Sequence, residues 1–308
     1  MAKSSKKEQK KFMNTDNLIS TLNSEQPVLI AGTTASGKSA LALKIATEQG
    51  GVIVNADALQ VFSGWRLLTA RPSKQDEAKT PHLLYGHVDN TKPYSVGDWL
   101  RAIEPILASD QRPIIVGGTG LYFRALTEGL APIPPVPKNI REQSAQMLAD
   151  NQLDKMKAAL DEATSARIDL QNPMRVSRAW EVFQATGQSI VDWHAQTPNP
   201  LLSVRDCEAL HLTSQPDWLN VRLEQRFNMM IAAGALDEAR ENLDGWDPNL
   251  QSSQAIGALE LMNYLQGHTS LTTAKELAVI ASRQYAKRQR TWFRKRMTGW
   301  TSIGSQEL

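Results

Sequence analysis

The chain has 308 residues, 41% of them hydrophobic and 21% charged, and its 34 basic and 32 acidic residues leave a net charge of +2. That length and apolar share suit one large or two modest globular domains, and the near balance of charge does not announce a nucleic-acid binder. A single cysteine, Cys207, excludes an intrachain disulfide and a zinc–thiolate cluster, and makes the reducing cytoplasm the expected compartment.

Residues 1–24 are polar and carry five lysines among the first eleven, which reads as a flexible basic leader. No apolar signal-peptide core and no run of about 18 apolar residues occurs, so no membrane span is predicted. Val28-Leu29-Ile30-Ala31 then reads as a buried parallel strand, and Ala40 to Ala46 favours a helix. Between them stands Gly32-Thr33-Thr34-Ala35-Ser36-Gly37-Lys38-Ser39, a complete phosphate-binding loop of the form GxxxxGK[ST] in the strand–loop–helix context that it requires. Gly32 and Gly37 are expected to supply backbone angles that turn successive N–H groups toward one anion. Lys38 adds a charge, and Ser39 can ligate a phosphate-bound Mg²⁺.

Further strands are predicted at Val52-Ile53-Val54, weakly near Leu83-Leu84-Tyr85, at Pro113-Ile114-Ile115-Val116 and at Ala209-Leu210-His211-Leu212. Alternation with helical patterns gives an α/β fold, a P-loop NTPase-like parallel sheet flanked by helices. The proline-rich run 131–137 reads as a stiff linker, and Pro198 and Pro200 mark a second break. The segment between them has helical spacing. The expected organisation is therefore a core of residues 25–136 and 205–308 with an inserted all-helical subdomain at 137–204. Long helices are predicted at 217–243, 252–266 and 272–297. The last carries Arg283, Lys287, Arg288, Arg290, Arg294, Lys295 and Arg296, either a footprint for a polyanion or a solvated helix face.

Asp57 follows the second strand and so faces the crevice of the phosphate loop, as a proton acceptor or as a helix N-cap. Gly117-Gly118-Thr119-Gly120 closes the fourth strand, where Thr119 offers a hydroxyl at the mouth of the sheet or simply completes a turn. Arg222, early in a helix where a cation gains nothing from the dipole, suits either a phosphate or a surface ion pair. The five histidines lack metal-site spacing and no GxSxG elbow is present.

Taken in order, these motifs resemble those of the bacterial tRNA dimethylallyltransferase (tRNA isopentenyltransferase) family. The resemblance runs from about residue 28 to 296. It rests on the loop at 32–39, Asp57-Ala58-Leu59-Gln60-Val61-Phe62, Thr69-Ala70-Arg71-Pro72, Pro81-His82, Tyr94-Ser95 with Asp98, and Val116 to Tyr122. Beyond those lie Arg175-Val176-Ser177-Arg178-Ala179-Trp180, Arg222-Leu223-Glu224-Gln225-Arg226-Phe227, Ala255-Ile256-Gly257, Arg283 to Gln289 and Trp292-Phe293-Arg294. Ala58 stands where the family usually has Ser, Phe62 where Tyr is common, Thr33 for Pro, Leu68 for Gly, and Ala258-Leu259-Glu260 for Tyr-Arg-Gln.

The resemblance implies transfer of a dimethylallyl group from dimethylallyl diphosphate to N6 of the adenosine 3′ of the anticodon, in tRNAs reading codons that begin with U. It implies that Lys38 and the loop, with Mg²⁺ near Ser39, hold the diphosphate, that Asp57 takes the N6 proton, and that Thr119 and Arg222 support the diphosphate from the other side. It assigns tRNA contact to Asp57, Ala58, Leu59, Gln60, Thr119, Arg141, Met174, Arg175, Val176, Ser177 and Arg178, with further contacts around Gly257. The expected partner is a tRNA anticodon stem-loop gripped by the helical insert, and the expected state is a monomer. A small-molecule kinase of the same loop class and a non-catalytic RNA-binding protein are the rival readings; the first leaves the insert unexplained and the second leaves the loop idle.

Overall fold

In a computed structural model, residues 15–308 are described. The lysine-rich part of the leader lies outside the described residues. Six parallel strands form one sheet: β1 (Val28–Gly32), β2 (Val52–Asn55), β3 (His82–Leu83), β4 (Pro113–Gly117), β5 (Glu208–Thr213) and β6 (Thr301–Gly304), in the order β3-β2-β4-β1-β5-β6. Every residue of β1, β2 and β4 is buried, which is why these strands read as unbroken apolar runs: helices cover both faces. The neighbouring strands β4 and β1 send the chain away in opposite directions, β1 toward β2 and β4 toward β5. The crevice at their carboxyl ends is thus a topological switch point, where sheets of this kind bind ligands.

α1 (Thr15–Thr21) packs Leu18 and Ile19 into the cluster that also holds Leu41, Ala42 and Ile45 of α2 (Lys38–Gln49). α3 (Lys74–Lys79) follows β2. α4 (Val96–Leu107) opens on a capping box, in which the Asp98 amide donates to Ser95 Oγ at 3.2 Å and the Ser95 amide to Asp98 Oδ2 at 2.8 Å. The Tyr94-Ser95…Asp98 motif is thereby accounted for locally. Buried Trp99 of α4 donates its indole N–H to the Asn55 carbonyl at 2.7 Å and stacks on Tyr122 of α5 (Gly120–Glu128), so the helix also holds the end of β2.

The chain divides into two compact units, one of residues 15–124 with 202–308 and the other of 125–201. The smaller begins inside α5, earlier than the residue 137 read from the sequence. The proline run is not a free linker. Ile133 packs on Ala179, Val182, Ile190 and Val191, all within that unit. Its helices are α6 (Lys138–Ala149), α7 (Leu153–Ala158), α8 (Glu162–Arg167), α9 (Pro173–Thr186) and α10 (Ile190–Ala195), around a second cluster built on Met156, Val176 and Trp180.

In the larger unit the long helix predicted at 217–243 is two, α11 (Pro216–Ala232) and α12 (Ala235–Glu241), broken at Gly234, whose φ of 104° lies in the left-handed region. The predicted 252–266 helix begins only at α13 (Ala258–Leu265), after a 3₁₀ turn at Ser252–Gln254. α14 (Leu271–Arg296) agrees with its predicted extent, and it buries Ala286, Gln289 and Phe293 while its arginine-rich face stays exposed. Among the described residues no helix is long and apolar enough to cross a membrane.

Candidate active site

The phosphate loop leaves β1 and turns into α2 at Gly37, whose φ of 94° is left-handed, while Ala35 takes φ of 61° despite its Cβ. Gly32 is needed for a different reason from the one read in the sequence. Its φ is ordinary, but a Cβ there would stand 2.8 Å from Ser36 Oγ and 3.0 Å from the Leu212 side chain, so the loop could not fold back against β5. The loop bounds an open cavity of about 210 Å³, lined by Ala35 to Ala40 and by Arg222, Gln225, Arg226 and Met229 of α11.

Three cations meet there. Lys38 Nζ donates to the Thr33 carbonyl at 3.2 Å, and burial lowers its pKa to about 8 despite the opposing pull of Asp57. Arg222 Nε donates to the Ala35 carbonyl at 3.1 Å, and its guanidinium lies 4.6 Å over the Trp218 ring. Arg226, four residues on, is also pushed down by burial, with Asp57 opposing and Arg222 adding to the effect. A desolvated, half-buried cation that an adjacent carboxylate only partly offsets is a site prepared for an anion. Sequence reasoning singled out Arg222 and missed Arg226. The i, i+4 spacing, which puts both on one helix face, is the signal that marks it.

Asp57 lies beyond the end of β2 in a turn, not at a helix start. Its amide donates to Asn55 Oδ1 at 2.8 Å, and its Oδ1 accepts from the Leu59 amide at 3.0 Å. Oδ2 makes no hydrogen bond among the described residues and approaches Gly118. Burial first, then the Asp57 charge, raises the Tyr85 and Tyr285 phenols, and the same charge contributes at Tyr122, so all three phenols stay neutral. Thr119 Oγ accepts from the Ala58 amide at 2.9 Å, which ties the end of β4 to the turn of Asp57 and leaves the hydroxyl proton free to donate.

Against Asp57 opens a second, narrower cavity of about 60 Å³ whose walls include Leu59, Leu68, Leu223, Phe227, Met230 and Ile256 as well as Thr34, Arg226 and Tyr285. Arg226 lines both cavities and so stands where they adjoin. Glu238 fixes one wall, accepting from the Arg66, Leu67 and Leu68 amides at 2.6, 2.8 and 3.0 Å. Gln60 is committed locally: its Nε2 donates to the Thr69 and Ala70 carbonyls at 2.7 and 3.1 Å. Gly257 packs on Phe227 and Leu68 behind the same cavity.

Ser39 is exposed at the start of α2 within the larger cavity, and the buried Ser36 hydroxyl has no partner among the described residues. Among the described residues no group of three or more His, Cys, Asp or Glu could hold a metal ion. These donors fit a cation carried mainly by a bound diphosphate and touched by Ser39, and they do not fit a metal held by protein alone.

In the smaller unit, Met174 and Arg175 are exposed early in α9, as are Arg178 on the same helix and Arg141 on α6. Arg175 and Arg178 make only loose ion pairs, at 3.8 Å, with Asp169 and Glu181. Val176 and Ser177, named with them from the sequence, turn inward: Val176 is fully buried and Ser177 Oγ lies 2.6 Å from Ser144 Oγ.

The parallel sheet and its loop define an α/β protein of the phosphate-loop class, with a cationic cradle next to a carboxylate and a narrow cavity of mixed lining. The family model described as IPP transferase matches residues 60–296, and the chain belongs to that family. It is 56% identical over 280 residues to the tRNA dimethylallyltransferase of Cereibacter sphaeroides (strain KD131), covering 91% of this chain and 89% of that one. It is 57% identical over 288 residues to the enzyme of the same name from Dinoroseobacter shibae, covering 92% and 97%. Among solved structures, the full-length tRNA isopentenylpyrophosphate transferase of Bacillus halodurans aligns with a TM-score of 0.65 at 29% identity, over 91% of this chain and 90% of that one. A eukaryotic dimethylallyltransferase acting on tRNA shares the fold, with a TM-score of 0.77 at 24% identity over 91% and 74%.

Proposed function

We propose that this chain is a tRNA dimethylallyltransferase that moves a dimethylallyl group from dimethylallyl diphosphate to N6 of the adenosine 3′ of the anticodon and releases diphosphate. The observation that carries the reading is the placement of Asp57. One carboxylate oxygen is held by the backbone and the other is left open, beside the half-buried Lys38 and Arg226 and at the wall of a cavity lined by apolar and polar side chains alike.

The chemistry follows from those neighbours. The loop amides, Lys38, Arg222 and Arg226 hold the diphosphate and neutralise the charge that grows as the C–O bond breaks, an effect strengthened by burial. The adenine, flipped from a single-stranded loop where unstacking is cheap, presents its N6 lone pair to C1 of the dimethylallyl group. The bonding pair leaves with the diphosphate oxygen, and the N6 proton passes to Asp57 Oδ2. The Thr119 hydroxyl, oriented by the Ala58 amide, has a proton to donate to a diphosphate oxygen. Mg²⁺, when bound through the diphosphate and Ser39, would supply further charge neutralisation at the leaving group. Arg141, Met174, Arg175 and Arg178 of the smaller unit, with the arginine-rich face of α14, would contact the anticodon stem-loop.

The test is incubation with unmodified tRNA, Mg²⁺ and labelled dimethylallyl diphosphate, followed by digestion to nucleosides. Label on adenosine is expected, together with a fall of about two orders of magnitude or more in turnover for Asp57→Ala, and with tRNA affinity kept. No labelled adenosine from a tRNA that reads codons beginning with U sinks the proposal, and near-normal turnover of Asp57→Ala removes that residue from its role.

A further inference from the structure

Gln289, on the inner face of α14, is 6% exposed and has a task that the reaction above does not assign. Its carboxamide spans two loops. Oε1 accepts from the Thr34 amide of the phosphate loop at 2.9 Å, and Nε2 donates to the Gly118 carbonyl at the end of β4, also at 2.9 Å. We propose that Gln289 is a positioning residue that fixes the spacing between the phosphate loop and the Gly118–Thr119 segment, and through it the distance from the diphosphate cradle to Asp57.

Three features require this side chain. A bridge from an N–H to a carbonyl needs an acceptor and a donor on one planar group, which a carboxamide supplies and neither a carboxylate nor an ammonium does. Asparagine, shorter by a methylene, would not reach both. Gly118 is shaped to receive it: a Cβ there would stand 2.3 Å from Gln289 Nε2 and 3.2 Å from Asp57 Oδ2, so bridge and carboxylate flank the same residue. Finally, the Thr34 amide is consumed by Gln289 and withheld from any anion, so the cradle is left to the amides after it. Thr119, next to Gly118, carries the hydroxyl that holds the Ala58 amide, and a shift of Gly118 is transmitted to the Asp57 turn. The Gly118 end of the bridge is buried and the Thr34 end half-buried, so a lost partner costs a good part of its desolvation.

The inference rests on the proposed reaction for what the spacing serves, but its test reads binding of inorganic diphosphate and needs no catalysis. Gln289→Met keeps length and packing and removes both hydrogen bonds. It should bind diphosphate about tenfold more weakly by calorimetry, a loss of about 1.4 kcal/mol. Gln289→Glu separates geometry from packing. Burial and the Asp57 carboxylate across Gly118 raise the new carboxyl's pKa, the Tyr285 phenol beside it stays neutral throughout, and when protonated the carboxyl both donates and accepts as the amide does. Relative to wild type at the same pH, its diphosphate affinity should recover as pH falls from about 8 to about 5.5. At the acid end it should bind within about twofold of wild type and more tightly than Gln289→Met, a difference that charge repulsion alone does not produce. Affinity of Gln289→Met within twofold of wild type, or a protonated Glu variant no better than Met, overturns the proposal. Should Gln289→Met fail to fold, the Glu series decides alone. A wild type that binds diphosphate but labels no tRNA would count against the proposed reaction and leave the role of Gln289 standing.

Discussion

Lys38 shows how much a single side chain in this site depends on what is bound beside it. Burial brings its pKa from 10.5 to about 8, Asp57 pulls it back up and Arg226 presses it further down. The folded value is the lower one, so between about pH 8 and 10.5 the unfolded chain holds the extra proton, and stability rises with pH through that window. Below it, holding the half-buried charge costs the ligand-free fold at most about 3 kcal/mol. A diphosphate reverses the balance, since an adjacent anion favours the ammonium. Diphosphate affinity should therefore fall as pH rises past about 8. Near pH 8.5 binding should take up a proton, visible by calorimetry in buffers of different ionisation enthalpy, and Lys38→Met should lose that uptake. A wild type with no uptake beyond that of Lys38→Met would show that the ammonium is not the titrating group. Lys38 was legible in the sequence because the loop motif fixes its place. Arg226 and Gln289 were not singled out, because their roles come from α11 and α14 packing over the loop, and no local pattern states which helix face turns inward.

At the scale of elements, the site depends on the ends of β2 and β4 coming unusually close. A Cβ on Gly117 would lie 2.0 Å from the Ala56 carbonyl oxygen, a backbone atom that no side-chain rotation can move away. Across the same join the Ala56 amide donates to the Val116 carbonyl at 2.8 Å and the Thr119 amide to the Ala56 carbonyl at 3.2 Å. Gly117→Ala must part these strand ends, and with them Asp57 and Thr119. We expect a loss above about 2 kcal/mol in denaturant unfolding and dimethylallyl transfer near background. Wild-type stability in that variant would mean that the approach is not required. The strands meeting here were legible as continuous apolar runs, because burial on both faces leaves no alternation to disguise them. β6 was not, because Thr301-Ser302-Ile303-Gly304 lies at the sheet edge and buries Ile303 while both residues before it are exposed. The helix at 217–243 was read too long for a related reason: the helical pattern continues across Gly234, and only the backbone angle there shows the break.

For the whole molecule, the proposed reaction asks for two kinds of anion recognition. In the proposed reaction the larger unit would hold a small, highly charged anion with Lys38, Arg222, Arg226 and loop amides, and the arginine-rich face of α14 belongs to that unit too. The smaller unit offers exposed arginines on ordinary helix surface, suited to a phosphate backbone and little else. The sequence pattern gave away the helical insert through its proline boundaries, but not that residues from 125 onward pack with it, since Ile133 and Val136 sit inside a proline run that reads as a stiff linker. The two tasks should be separable. Arg175 and Arg178 are exposed and only loosely paired, so replacing both by alanine should cost the fold less than about 1 kcal/mol. If each neutralises a phosphate of the anticodon stem-loop, the double variant should bind tRNA more weakly, and the slope of log affinity against log salt should become shallower by about one to two. Affinity for inorganic diphosphate should stay at the wild-type value, because the cradle of Lys38, Arg222 and Arg226 belongs to the other unit. An unchanged salt slope would remove these arginines from the tRNA interface. A change in diphosphate affinity would show that the smaller unit acts on the cradle as well, and that anion recognition is shared between the units.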